Sequence, residues 1–290
     1  MKKSLSFSAA IIILSLTFIY ATFPAKQFVK NPKGYVFVPM GTLITNGKTV
    51  SCQAFYIKKT EVTNEEYKIF LNDLKKQGKM DEYKIAYPDS TKWLNSNAYM
   101  QPYVDFYFTH PAYDKYPVVN ISRQGAKLYC KWLTEKVNSK LKNKNKYIND
   151  FRLPSPEEWM IAAKGGHVDA IYPWESKETA DIDGNYFCNF KYLASPNAKK
   201  VKTNLEPGIS PTIVSHFKPN GYGIYDMAGN VAEMVQVLGD STKSGIGTKG
   251  GSFIDDESHI KIDGPDAYKG ITEASPFIGF RPVSTFTYTK

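Results

Sequence analysis

The pattern of apolar and polar positions near the start of the chain predicts two strands followed by an amphipathic helix. Residues 35–41 and 54–60 are short runs rich in aromatic and β-branched residues, the length and composition of strands. Thr63 is a suitable helix N-cap, and Glu66, three positions later, is its partner in a capping box. The apolar residues behind this cap recur at helical spacing: Tyr67, Phe70, Leu71 and Leu74. Their common face is expected to pack on the strands.

Two more helices are predicted in the middle of the chain. Ser122 is the expected N-cap of the first, and Ser155 with Pro156 at the first helical position begins the second. A strand and turn at residues 151–154 lead into the second helix. The apolar positions of the first helix are Ala126, Tyr129, Cys130, Leu133 and Val137. Beyond Gly166 the pattern indicates turns and short strands.

The segment from about 76 to 116 has no long period but contains many aromatic residues and prolines. A disordered linker would not carry so many Tyr and Trp residues. We therefore expect an ordered insertion that wraps over the core.

Composition favours a loop-rich fold over a helical bundle. The chain has 290 residues, of which 42% are hydrophobic and 22% charged, and this balance is that of a globular protein. It contains 20 Tyr, 17 Phe, 20 Gly and 17 Pro, spread along its length. The length predicts one large domain with insertions, or two domains.

The first residues have the pattern of an export signal. Met1-Lys2-Lys3 is followed by an apolar run from 5 to 23, a positive segment before a hydrophobic one. Residues 1–25 are thus interpreted as a signal peptide, cleaved after Ala21 or Ala25, or as an uncleaved anchor, and 26–33 as a linker. The expected location is the periplasm or the outer-membrane-associated cell envelope.

The net charge of +9 comes from dispersed lysines, which are densest at residues 140–147. Such a run is typical of a solvated surface, and an exported protein is not expected to bind nucleic acid. Cys52, Cys130 and Cys188 are an odd number, so at least one thiol stays free unless an intermolecular bond forms. Without CxxC or a Cys/His cluster, the sequence does not predict a structural zinc site.

Successive motifs then carry a resemblance that spans about residues 34 to 283. They are residues 61–67 (EVTNEEY), 116–122 (YPVVNIS), 152–159 (RLP…EW), 172–174 (YPW), 220–233 (NGYGIYDMAGNVAE), 249–253 (KGGSF) and 279–281 (GFR). In this order they resemble the formylglycine-generating enzyme (sulfatase-modifying factor) family. The resemblance implies an α+β, irregular C-type-lectin-like fold at residues 34–290, with two main helices and small antiparallel sheets.

The same resemblance implies that this chain lacks the chemistry of the enzyme. In that family, copper is held by two thiolates, three and eight residues after the Ser that Ser252 matches. Here those positions are Asp255 and Ile260. A hard carboxylate and an apolar side chain do not bind Cu(I) as thiolates do. Cys130 matches one half of the family disulfide, but Pro282 stands at the other half, so Cys130 is expected to be a buried free thiol, while Cys52 and Cys188 either pair or stay free.

Calcium is the cofactor that the resemblance still implies. The side chains of Asp226 and Glu233 and the carbonyls of Gly229 and Val231 match the ligands of one family site. Four oxygens within this short segment suit a hard cation, which would cross-link loops that have no sheet to hold them. A second site would use Asn189 and the carbonyl of Phe190.

The insertion carries a narrower resemblance. Its elements are Tyr87-Pro88-Asp89, Trp93, Tyr107-Phe108 and the run from His110 to Val119, together with Cys188-Asn189-Phe190-Lys191 outside it. These are similar to gliding-motility lipoproteins of the type IX secretion apparatus, although this chain lacks their lipid-bearing Cys. The resemblance predicts a non-catalytic scaffold that binds protein partners in a bacterial envelope complex.

Two alternatives stay open at the level of the sequence. One is an enzyme with a rebuilt groove, which would require Ser252, Asp255 and His259 to converge in one pocket. The other is a carbohydrate-binding module, because the expected fold is lectin-like.

Overall fold

The computed structural model of the protein describes residues 32–45, 47–95, 99–140, 150–192, 208–237 and 245–286. The export segment predicted at 1–25, most of the linker and the lysine-rich run after Lys140 lie outside the described residues. Within the described ranges, every helix is too short or too polar to cross a membrane.

The strands and helices of the described residues are short. The strands are β1 (Tyr35–Val38), β2 (Gly41–Thr45), β3 (Lys48–Cys52), β4 (Phe55–Lys58), β5 (Phe151–Arg152), β6 (Ala232–Gln236), β7 (Ile246–Lys249), β8 (Ile278–Gly279) and β9 (Val283–Thr285). The helices are α1 (Asn64–Lys76), α2 (Met80–Ala86), α3 (Gln101–Phe106), α4 (Arg123–Ser139) and α5 (Pro156–Lys164), with short 3₁₀ helices at Ser90–Asn95 and Pro111–Tyr113.

Three small sheets organise the chain. The order β1-β4-β9-β5 forms an antiparallel sheet that joins the first strand to the last, and β2 and β3 form a hairpin. In the third sheet, β6 lies between β7 and β8, and the β6–β8 pair is parallel. This pair departs from the predicted antiparallel sheets, since its two strands are joined by a long connection and not by a tight turn. Its register places Glu233 opposite Gly279.

The predicted helix starts are confirmed. Thr63 and Ser155 each form a full capping box with the Glu three residues later, and the Ser122 side chain accepts a hydrogen bond from the amide of Gly125. The strands predicted at 35–41 and 54–60 appear as β1 and β4. The β2–β3 hairpin between them was not predicted, because its strands alternate weakly and are largely exposed.

Aromatic side chains fill the core between α1 and α4. The rings of Tyr67 and Tyr129 stack with centroids 5.7 Å apart, and Phe70 and Phe280 pack edge-on against Tyr129. All four side chains are buried, and the predicted inner face of α1 is confirmed, whereas on α4 Leu133 and Val137 are only half-buried. A second buried cluster surrounds Trp159 of α5.

The three cysteines are free thiols. Cys130 is buried on the inner face of α4, as predicted, and burial raises its pKa to about 12. Cys52 and Cys188 do not form the disulfide that the sequence left open. Cys188 packs beside Phe190 and Ile260, whereas Cys52 lies on the β2–β3 hairpin.

Candidate functional site

The segment 220–231 is a tight loop that places polar side chains at the centre of the molecule. Asp226 and Asn230 adopt left-handed backbone conformations, with φ of 55° and 61°. Gly229 also has a positive φ, and the carbonyl oxygen of Asn189 occupies the space that a Cβ would need. A side chain at position 229 is therefore excluded by both strain and contact.

Asn230 joins this loop to three other segments. Its side-chain amide donates to Glu61 Oε1 at 2.7 Å and its side-chain oxygen accepts from the Thr212 amide at 2.8 Å. Its backbone amide donates to the carbonyl of Asn189 at 2.7 Å. One buried amide side chain thus holds together loops that have no common sheet.

A fully buried ion pair lies next to this loop. Arg281 donates from Nε to Glu233 Oε2 at 2.6 Å and from Nη2 to Oε1 at 2.5 Å. Trp159 Nε1 also donates to Oε2, at 2.8 Å. The guanidinium also donates to the backbone carbonyls of Lys58, Lys59, Tyr225 and Asp226. Arg281 therefore connects β6, β4 and the Asp226 loop, and Glu233 adds α5 through Trp159.

Two more carboxyl groups lie beside this pair, and each keeps an oxygen without a hydrogen-bond partner in the described structure. Glu61 Oε2 is 3.9 Å from Arg281 Nη2, and Asp226 Oδ1 has no donor. Burial raises the pKa of both carboxyl groups, and for Glu61 the nearby Asp226 carboxylate raises it further. The cluster thus sets three carboxyl groups around one guanidinium.

The predicted first calcium site fits this geometry only in part. The orphaned oxygen of Asp226 is a hard donor that a cation would satisfy, and a cavity of about 10 Å³ lined by Asp226, Cys188 and Met227 has room for one water or ion. The Glu233 carboxylate is instead hydrogen-bonded to Arg281 and Trp159. Calcium binding by Asp226, Gly229, Val231 and Glu233 stays a prediction in which Glu233 is the weak member.

The residues of the second predicted calcium site are held by the protein itself. The Asn189 amide donates to the carbonyl of Ser210 at 2.9 Å, and Phe190 is buried in an aromatic cluster. Calcium at Asn189 and Phe190 likewise stays a prediction.

The segment that follows the Gly-Gly-Ser-Phe motif, where the sequence placed the groove of a possible enzyme, contains a closed hydrogen-bond network, and we call this segment the Ser252 groove. Asp255 Oδ2 accepts from the amide of Ser252 at 2.7 Å and from its hydroxyl at 2.8 Å. The Tyr268 hydroxyl lies 3.0 Å from the same oxygen and 2.9 Å from Ser252 Oγ. Burial raises the pKa of Tyr268, and the Asp255 carboxylate raises it further. Asp255 thus closes its own turn.

Ile260, which stands at the second position matched to a copper-binding thiolate, lies in the core. It is completely buried among Tyr172, Cys188, Phe190 and Ala228. The two positions are therefore filled by a carboxylate engaged with its neighbours and by a core side chain, and neither supplies a soft ligand.

Of the three groups required for the rebuilt-groove enzyme, Ser252 and Asp255 are joined by hydrogen bonds in the described structure, whereas His259 has other partners. Ser252 and Asp255 are hydrogen-bonded, but Ser252 is completely buried. The His259 Nδ1 lies 3.0 Å from Asp256 Oδ1 and 3.2 Å from the Ser258 hydroxyl, and among the described residues no hydrogen bond joins His259 to Ser252 or Asp255. Hydrogen bonds from Ser258 and His259 lower the pKa of Asp256 to about 2.

The insertion packs on this groove from one side. Trp93 and Tyr107 are buried and lie in one cluster with Phe253 of the motif. Asn64 fixes the end of the insertion by donating to the carbonyls of Tyr107 and Tyr113. The described residues of this segment thus pack against the rest of the domain.

Sequence reasoning missed the roles of Glu61, Arg281 and Tyr268. The first two lie in motifs that were recognised, and a charged residue within an otherwise apolar motif was a usable signal for burial and pairing. Tyr268 carried no local signal, because it meets Ser252 only through the fold.

Together, the short sheets, the long loops and the buried Arg281 cluster define an irregular α+β domain held by polar side chains. The chain belongs to the sulfatase-modifying factor enzyme 1-like domain family, whose model matches residues 21–286. The predicted family and fold are thereby confirmed.

Curated relatives in this family have different named activities. The chain is 32% identical over 163 residues to the formylglycine-generating enzyme of Thermomonospora curvata, covering 50% of this chain and 46% of that protein. It is 26% identical over 206 residues to the inactive C-alpha-formylglycine-generating enzyme 2 of Bos taurus, covering 64% of this chain and 60% of that one. The chain thus spans only part of the length of these relatives.

Solved structures share the fold. Treponema denticola variable protein 1 matches with a TM-score of 0.57 and 21% identity, covering 87% of this chain and 95% of that one. CarF matches with a TM-score of 0.58 and 19% identity, covering 88% and 99%. At such identities these structures establish architecture alone.

Proposed function

We propose that this protein is a non-catalytic member of its family that uses the retained fold to bind partner proteins in a bacterial cell envelope. The observation that carries the proposal is the state of the two groove positions. Asp255 is engaged by Ser252 and Tyr268, and Ile260 is part of the core. Copper held by two thiolates, which the family resemblance implies for the enzyme, has no counterpart in these side chains. The relative named inactive supports the same conclusion.

A direct assay tests the absence of this oxidation. Purified protein is titrated with Cu(I) and incubated with a thiol peptide under air, and mass spectrometry follows conversion of the thiol to an aldehyde. The enzyme of Thermomonospora curvata serves as positive control, and Asp255→Cys/Ile260→Cys asks whether thiolates alone restore copper binding. Tight Cu(I) binding and aldehyde formation by the unmodified chain would overturn the proposal.

The surface proposed for partner binding is the outer face of the insertion. Its inner side is anchored by Trp93 and Tyr107, so the outer side chains stand on a fixed base. Large apolar residues in the insertion are 44–83% exposed: Met80, Ile85, Tyr87, Leu94, Tyr99 and Phe106. Aromatic and Met side chains are enriched at the centres of protein interfaces, which supports a protein partner.

The proposed location is the periplasm or the outer-membrane-associated envelope. The apolar segment at residues 5–23 supports this location, because it has the pattern of an export signal. The similarity of the insertion to gliding-motility lipoproteins supports a partner within type IX secretion, gliding or other outer-membrane machinery. The proposal also includes a calcium ion at Asp226 that stabilises the fold.

Affinity capture from the native envelope tests the partner surface. Full-length tagged protein is compared with the variant Leu94→Ser/Tyr99→Ser/Phe106→Ser, and captured proteins are quantified by mass spectrometry. The matched control is Val168→Ser/Ile182→Ser, which removes apolar side chains that are 80% and 93% exposed outside the insertion. We expect specific partners to be lost only from the insertion variant. Equal capture by both variants, or recovery only from the cytoplasm, would contradict the proposal.

A further inference from the structure

A mixed aromatic and polar cavity of about 580 Å³ lies between the segments 173–187 and 216–221. It contains neither the groove residues Ser252 and Asp255 nor any residue of the insertion. Its volume is within the range of small-molecule sites, roughly 300–1,000 Å³. The cavity is thus a candidate site that the proposed function does not use.

One wall of this cavity is a rigid aromatic platform. Trp174 is half-buried, and its indole stacks on Tyr172 with centroids 4.9 Å apart and an interplanar angle of 7°. Its Nε1 donates to the carbonyl of Glu178 at 2.8 Å, and Phe187 packs against it at 5.4 Å. Because these contacts fix the ring before any ligand arrives, little side-chain entropy is lost when a ligand stacks on it.

The other walls present polar groups. The Asp181 carboxylate is oriented by the amides of Asp183 and Asn185, each at 2.9 Å. Glu175, His216 and Lys218 also line the cavity, and in the described ranges no hydrogen bond or ion pair engages their side chains. These groups are therefore available to a ligand.

The combination restricts the ligand class. A wholly apolar ligand would remove Glu175 and His216 from water without a partner, which is unfavourable. A phosphate-bearing ligand would meet the carboxylates of Glu175 and Asp181 as well as the Lys218 ammonium, and no Arg among the lining residues would hold it through two parallel hydrogen bonds. A neutral molecule with one apolar face and several hydroxyl groups avoids both costs, because its face stacks on the ring and its hydroxyls both donate and accept.

We propose that this cavity binds a neutral mono- or disaccharide, with Trp174 as the stacking surface and Glu175, Asp181 and His216 as hydrogen-bonding groups. This inference goes beyond protein binding by the insertion, and either could fail alone, since the two surfaces share no residues.

The test uses full-length protein and a panel of neutral sugars: glucose, galactose, mannose, N-acetylglucosamine and chitobiose. Binding is measured by saturation-transfer NMR and by quenching of tryptophan fluorescence, up to about 10 mM sugar because single-site sugar binding can be as weak as about 1 mM. We expect at least one sugar to bind and to lose roughly tenfold in affinity in Trp174→Ala. Ile44→Ala, which truncates a 78% exposed apolar side chain outside the cavity, is the control and should bind as the unmodified chain does.

The substitutions Glu175→Ala and His216→Ala keep the platform intact and guard against misfolding of Trp174→Ala. Each should weaken binding a few-fold with an unchanged melting temperature, because each removes one hydrogen-bonding group at the surface. The proposal is overturned when no sugar of the panel binds, or when binding is unaffected by these two substitutions.

Discussion

The Arg281 cluster and the Ser252 groove are both buried polar networks, but they differ in how far apart in the sequence their members lie. Arg281, Glu233 and Asn230 connect segments far apart in the sequence, and the charged groups of the cluster are almost completely buried. In the second network Ser252 and Asp255 are only three residues apart, and Tyr268, 13 residues after Asp255, is brought to them by the fold. The first network therefore holds the fold, whereas the second shapes only the groove and could change without loss of the domain. The predictions that follow test this difference, from the largest expected effect to the smallest.

Removing one partner of the buried ion pair should be the most damaging change. Arg281→Met leaves the Glu233 carboxylate buried without its main donors, so we expect a loss of about 3–5 kcal/mol in the free energy of unfolding. Urea denaturation measures it. The double variant Arg281→Met/Glu233→Leu removes both charges and should recover part of that loss. A cost below about 1 kcal/mol for the single variant would show that Arg281 does not hold the fold.

Removal of calcium should have the next largest effect. A structural ion held at one hundred times its Kd adds about 2.7 kcal/mol, or several degrees in melting temperature. We expect a chelator to lower the melting temperature of the unmodified chain and to have little effect on Asp226→Asn. Calorimetry with and without added Ca²⁺ measures this. Identical melting curves with chelator and with calcium would remove the Asp226 site, while leaving the Arg281 cluster intact.

A smaller loss of stability is expected from a substitution in the Ser252 groove. Tyr268→Phe removes the hydroxyl that contacts Asp255 and Ser252 and leaves polar atoms buried without it. We expect a loss of about 1–3 kcal/mol, measured by urea denaturation. Tyr99→Phe, at a side chain that is 83% exposed, is the control and should change stability by less than about 0.5 kcal/mol. A loss as large as that of Arg281→Met would erase the contrast between the two networks.

The smallest expected effect is a change in stability at acidic pH. The folded-state pKa of Asp256 is about 2, below its ordinary value of 3.8, since Ser258 and His259 hydrogen-bond the carboxylate. A lowered pKa stabilises the fold above pH 3.8, and this stabilisation is lost as the pH falls towards 2. The group is 62% exposed, so only a few tenths of a kcal/mol are expected. The stability difference between the unmodified chain and Asp256→Asn, measured at pH 6 and at pH 3, should shrink at pH 3; a difference that grows would contradict the assignment.

The helices show how far sequence reasoning reached. Thr63, Ser122 and Ser155 were recognised as N-caps because capping is a local interaction over three residues. The β2–β3 hairpin and the parallel β6–β8 pair were missed or mistaken, since weakly alternating strands and long-range pairing leave little local signal.

The features of the candidate site likewise fall into those that the sequence identified and those that only the structure shows. That Asp255 and Ile260 stand where a copper enzyme would need thiolates follows from counting residues after Ser252. Sequence spacing could not show that Asp255 accepts a hydrogen bond from Tyr268. It also could not show that the Glu233 carboxylate is paired with Arg281 and not directed to the predicted calcium site. Those partners are 13 and 48 residues apart, and only packing decides which of several buried polar groups meet.

The sequence by itself determined the helix starts, the family motifs and the loss of the thiolate positions, because each depends on residue type and short spacing. Tertiary structure alone decided the partners of the buried charges, the closed groove around Ser252 and the cavity beside Trp174. Each of these requires side chains from distant segments to meet, and a buried polar group takes whichever partner the fold brings within hydrogen-bond reach.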